Sequence, residues 1–155
     1  MTTPDLTAVV AATHDIWMRT NDLIGQSLAE HQMTPATFQA LWVIDPDEPP
    51  PSMKLMAERL YCNAPNLTFI SNQLVDRGLV ERAVDPDDRR SRVLVLTARG
   101  RQVRDELVRA TLEKTPLAVL SAVELRQLSA LLQRVAGPDG QPAANAQFSG
   151  GPSSI

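Results

Sequence analysis

One cysteine, Cys62, and two histidines, His14 and His31, are the whole thiol and imidazole inventory of 155 residues. A lone thiol closes no intramolecular disulfide, so the chain does not require an oxidising compartment. One cysteine and two separated histidines also give no metal-ligand spacing, so no metal is expected. No apolar run reaches the length of about 18 residues that a membrane-spanning helix needs. Met1 to Asp5 carries no basic region followed by an apolar stretch, so no secretory leader is expected and the predicted location is the cytoplasm. No G-x-S-x-G, P-loop or dinucleotide-binding glycine pattern occurs, and the serines and histidines are too scattered for a catalytic triad. The expectation is therefore a protein without a cofactor that is not an enzyme. What is present fits one folded domain with a buried core: 43% of residues are apolar and 21% charged, ordinary values for a globular chain. A net charge of -3 excludes coating of nucleic acid through bulk charge, but not a local basic patch.

Apolar spacing and capping signals divide the chain. Leu6, Val9, Val10, Ile16, Trp17, Leu23, Ile24 and Leu28 recur every three or four residues, predicting one long helix to Glu30. Thr34-Pro35 starts a second helix, with Phe38, Leu41 and Trp42 on one face, and Asp45-Pro46 ends it. DPDEPPP (Asp45 to Pro51) reads as a stiff polar connector. Ser52 caps a short third helix with Leu55, Met56 and Leu60 inward, and Tyr61-Cys62-Asn63 breaks it. A fourth helix spans about Ala64 to Arg77, closed by Gly78. Leu79 to Val84 and Arg92 to Leu96 predict two strands around the turn-rich loop DPDDRRS. Thr97 caps a fifth helix to about Lys114, Pro116 interrupts, and S-x-x-E at Ser121 to Glu124 opens a sixth with Leu125, Leu128, Leu131, Leu132 and Val135. Residues 138–155 are small and polar and predict a disordered tail.

The predicted fold class is mainly α with a small β-hairpin: a winged helix-turn-helix core, residues 51–97, between helical arms at 1–50 and 98–137. An α-helix fits the DNA major groove if its exposed face carries groups that bond to base edges or phosphates. Asn63, Asn66, Thr68, Asn72 and Gln73 supply such groups on the outward face of the fourth helix, though a solvated polar face has the same composition. Phe69 fits a packing role against the third helix or a contact with a thymine methyl. From Arg89 to Arg104 the chain holds six arginines and no acidic residue, which contrasts with its negative total. Phosphate contacts carry much of DNA affinity, and an arginine at a wing tip can enter the minor groove. Arg89, Arg90 and Arg92 are the wing candidates; Asp85, Asp87 and Asp88 lie close enough in sequence to pair with them instead.

The segments MTPATFQALWVI, MAERLYCNAPNLTFISNQLVDRGLVER and DPDDRRSRVLVLTARGR, in this order, resemble the MarR (multiple antibiotic resistance regulator) family over roughly Leu6 to Val135. The resemblance implies a homodimeric transcriptional regulator, a repressor on a palindromic double-stranded DNA operator. It assigns Asp88 to bracing the wing and Arg90 to the minor groove, and places Asn66 and Thr68 in the recognition helix. Phe69 departs from the pattern, since many members have a basic residue there. The terminal helices would form the dimer, and their apolar stripes agree. The resemblance also implies a cleft for a small aromatic or anionic effector; His14, Trp17, Arg19 and Trp42 are the candidates, although helical spacing explains them equally well as core. Cys62 reads as a half-buried structural thiol. A winged helix that serves only as a protein-interaction module is the alternative, and an arginine-rich wing speaks against it.

Overall fold

The computed structural model describes residues 3–136; the predicted tail, 138–155, lies outside them. Six helices and one hairpin follow in the order α1 (Pro4–Glu30), α2 (Pro35–Trp42), α3 (Met53–Leu60), α4 (Ala64–Asp76), β1 (Val80–Val84), β2 (Arg92–Leu96), α5 (Ala98–Lys114) and α6 (Ala122–Ala136), with a short 3-10 turn at Pro116–Val119. The fold is mainly α with a two-stranded wing.

The helix ends form where the sequence predicts them. Thr3, Thr34, Ser52, Asn63 and Thr97 each sit in extended backbone and accept a bond from an amide of the first turn. Those amides have no partner inside the helix, which is why short oxygen-bearing side chains collect there. At α2 the cap is reciprocal, because Thr37 Oγ1 also accepts from the Thr34 amide at 2.9 Å. Gly78 ends the fourth helix in the left-handed region with φ +69, a conformation that costs an L side chain. Gly100 serves a different need: a Cβ there would overlap the Leu79 carbonyl, so α5 approaches the start of β1 only because this position has no side chain.

The chain divides into two compact units at Pro116. In the first, Leu41 of α2, Met56 of α3, Leu74 of α4, Leu94 of β2 and Leu107 of α5 are buried together, joined by Ile24 and Leu28 from the end of α1. β1 and β2 pair antiparallel from Val80↔Leu96 to Val84↔Arg92. The connector before α3 contributes to the same sheet. The Leu94 amide donates to the Pro51 carbonyl at 3.0 Å and Ser52 bridges Val93, which buries Val93 beside Leu94. The polar connector thus ends as a strand-like edge, a pairing that its proline-rich composition did not announce.

The second unit contains α6. Its start is a capping box in which Glu124 accepts from the Ser121 amide and hydroxyl at 2.8 Å each. The two bonds, the backbone amide first, hold the Glu124 carboxyl below the usual glutamate range.

Candidate nucleic-acid interface

Tyr61, left-handed at φ 51, reverses the chain between α3 and α4 and so forms the helix-turn-helix. Leu67, Ser71 and Leu74 turn α4 inward. The opposite face exposes Asn66, Thr68, Phe69 and Asn72, with Asn63 half-buried or exposed at the cap side and Gln73 half-buried. Phe69 is 64% exposed. It does not pack into the core against α3; it edges a shallow cavity that Leu60 and the start of α2 also line. Cys62, half-buried and without a disulfide partner, sits in the same wall.

Several polar groups on this face are already engaged within the protein. The Asn63 side-chain oxygen accepts from the Asn66 amide at 2.9 Å, and the Thr68 hydroxyl donates to the Ala64 carbonyl at 2.9 Å. Arg82, on β1, donates to the Ser71 hydroxyl at 3.1 Å and to the Asn72 side-chain oxygen. Sequence reading did not single out Arg82. Its only local signal is a long cation in the first strand, and its reach to α4 comes from how the hairpin folds back on that helix.

The wing tip is held by its aspartates. Asp85 Oδ1 accepts from the Asp87 amide at 2.9 Å, and Asp88 accepts from the Arg90 amide at 3.0 Å and the Ser91 hydroxyl at 2.8 Å. These two bonds to Asp88, the Arg90 amide first, keep its carboxyl below the ordinary aspartate range. The acidic residues therefore shape the loop. Among the described residues Arg89 and Arg90 form no ion pair, and both are exposed. Arg92 is exposed but folds back, donating to the Arg89 and Ser91 carbonyls at 3.4 and 3.2 Å. The basic run does not act as one surface. Arg99 and Arg101 are exposed, whereas Arg104 turns inward, donating to the Trp42 carbonyl at 3.0 Å, with its side chain only 15% exposed. There it meets the carbonyl end of α2, where a cation is favoured.

A cavity of about 460 Å³ opens between α1, α2, the α3–α4 turn and α5, lined by Trp17, Asn21, Phe38, Trp42, Arg59 and Tyr61 among others. It unites Trp17 and Trp42 but not His14 or Arg19, which corrects half of the predicted cleft. Arg19 lies two residues past Trp17, about 200° around the helix, and pairs with Asp15 at 2.9 Å on the exposed flank. His14 lies one turn before the cavity and stacks on Trp17 with ring centroids 6.4 Å apart. Arg59, which sequence reading passed over, is the cation in the lining; it bonds the Val43 carbonyl at 2.9 Å and Glu48 at 3.0 Å. No group of residues among those described could hold a metal ion, and no helix among them is long and apolar enough to cross a membrane.

Known proteins share this arrangement. The model of the MarR family matches residues 33–91, which span α2 through the wing tip. Among solved structures, the transcriptional repressor CouR bound to a 23-mer DNA duplex is 25% identical, with a TM-score of 0.67, covering 87% of this chain and 93% of that one. A cysteine-to-serine mutant of MarR from E. coli, complexed with operator DNA, is 22% identical with a TM-score of 0.66, covering 86% and 96%. NadR with 4-hydroxyphenylacetate is 20% identical with a TM-score of 0.70, covering 88% and 95%. No curated protein matches in sequence. With that domain at its centre and that fold around it, the chain belongs to the MarR family.

Proposed function

We propose that this protein is a sequence-specific DNA-binding transcriptional regulator, and not an enzyme, that acts as a homodimeric repressor in the cytoplasm. The observation that carries the reading is the pairing of an exposed polar helix face with a hairpin whose tip arginines have no intramolecular carboxylate. In this reading Asn63, Asn66, Thr68, Phe69, Asn72 and Gln73 meet the major groove, Arg89 and Arg90 reach the flanking minor groove or phosphates, and Arg92 follows the backbone. Asp88 holds the tip in shape. Residues 51–97 form the reader, with 1–50 and 98–137 as the arms.

The arms support a dimer. Leu6, Val9, Val10 and Trp17 of α1 are exposed, as are Leu131, Leu132 and Val135 of α6. Apolar stripes of this kind are covered in solution by a partner surface. A two-fold dimer would set two recognition helices roughly 34 Å apart on a near-palindromic site. CouR and MarR have been solved on DNA, and NadR with a small aromatic acid. By analogy the cavity at Trp17 and Trp42 takes a small aromatic or anionic effector that changes the spacing of the reading heads. A gel shift with DNA from the protein's own promoter region tests the reading. Retardation at low salt is expected for wild type and a weakened shift for Arg89→Ala/Arg90→Ala. Absence of any wild-type complex on every promoter fragment would overturn it.

A further inference from the structure

On α4, internal hydrogen bonds decide which polar atoms remain for DNA. Asn72 lies on the exposed face, well inside the helix, and its side-chain oxygen accepts from the Arg82 guanidinium. A guanidinium has five donors and no acceptor, so the atom of the amide that faces it is the oxygen, whichever way the group is drawn. The guanidinium is itself anchored: the same Arg82 nitrogen donates to the buried Ser71 hydroxyl at 3.1 Å, and that hydroxyl in turn donates to the Leu67 carbonyl at 2.8 Å. The chain from Leu67 through Ser71 and Arg82 to Asn72 fixes the amide by one end.

We infer that Arg82 makes Asn72 a donor-only reader, whose free NH2 selects a lone-pair acceptor on the DNA, and so makes Arg82 a specificity-determining positioning residue. This inference rests on the DNA-binding reading above. An unrestrained asparagine pairs with adenine through both ends, its oxygen accepting from N6 and its NH2 donating to N7. With the oxygen held by Arg82 that mode is closed. The NH2 is left for guanine O6 or N7, thymine O4, or a phosphate oxygen. The neighbouring side chains are committed in the same manner. Asn63 gives its oxygen to the helix cap and keeps its NH2, while Thr68 spends its hydroxyl proton on Ala64 and keeps its oxygen lone pairs. The face therefore presents two donors and one acceptor in fixed places before any DNA arrives.

The test is site selection from a random duplex pool with purified full-length wild type, Arg82→Met and Asn72→Ala, followed by binding to the selected duplexes. Wild type is expected to select guanine or thymine at one position in each half-site. Asn72→Ala is expected to lose that preference alone, by about fivefold or more, because it deletes an exposed side chain. Arg82→Met, with its fold checked by circular dichroism, is expected to admit adenine at that position. If Asn72→Ala weakens binding on every sequence equally and methylphosphonate substitution of one backbone position abolishes its effect, the acceptor is a phosphate and the assignment of base choice to Arg82 is overturned. Adenine selected by wild type at the Asn72-dependent position overturns the inference, as does a folded Arg82→Met with unchanged selection while Asn72→Ala loses preference. If Arg82→Met does not fold, wild type and Asn72→Ala decide by the base selected. Failure of wild type to enrich any sequence would instead strike at the DNA-binding reading itself.

Discussion

The recognition helix and the wing both turn polar side chains to solvent, but they are built in opposite ways. On α4, Asn63, Thr68 and Asn72 each have one polar atom engaged by the protein, and Arg82 reaches across from the hairpin to hold the last. On the wing the aspartates spend themselves on backbone amides, while the guanidiniums of Arg89 and Arg90 make no ion pair among the described residues. The helix is thus preorganised, which suits discrimination between base edges. The wing keeps unpaired charge, which suits phosphates and grooves of any sequence. A chain with a net charge of -3 can bind a polyanion this way, because unpaired cations are gathered at one tip.

The largest effect should come from the wing. Arg90→Ala is expected to weaken operator binding by about 1–3 kcal/mol, the scale of one good DNA contact. Unchanged affinity in a direct titration would remove Arg90 from the interface. Next, Asn63→Ala is expected to lower folding stability by about 1 kcal/mol through loss of the α4 cap, read by urea denaturation. An unaltered midpoint would mean that the helix start does not depend on that oxygen. The salt dependence separates the two regions more finely. Removing one wing arginine from a phosphate should flatten the log-affinity against log-salt slope by about one, while Asn72→Ala should leave the slope as it is if it reads a base. Equal slopes for both variants would erase the contrast.

The smallest effect concerns pH. The Asp88 carboxyl lies below its ordinary value of 3.8, held there by the Arg90 amide and then the Ser91 hydroxyl. A carboxylate with a depressed folded pKa adds order that is fully present above its unfolded value and lost as pH falls through the folded one. Wing geometry should therefore be constant from neutral pH down through mildly acid solution. The Arg90 amide resonance should titrate with a midpoint below 3.8; a midpoint at or above that value would show that Asp88 does not hold the loop in solution.

Local signals explain why so much of the fold was legible. Thr34, Ser52, Thr97 and Gly78 act on the few residues beside them, so their sequence context already contains the physics of each helix end. Pairings between distant segments were not legible. Arg104 reads as one more cation of the basic run, yet it bonds the Trp42 carbonyl 62 residues away. Arg82 reads as a strand residue, yet it braces the recognition helix. The cleft was half legible for the same reason: Trp17 and Trp42 meet across helices, whereas the local pairing with Asp15 takes Arg19 elsewhere.

The central claim is that two such helix-and-wing heads engage one DNA molecule. Hydroxyl-radical footprinting of the wild-type protein on its own promoter region tests this most directly. The account predicts paired, two-fold-related protections with centres about one helical turn apart, roughly 34 Å. A promoter without any protected site at saturating protein, or a single unpaired patch, would contradict it.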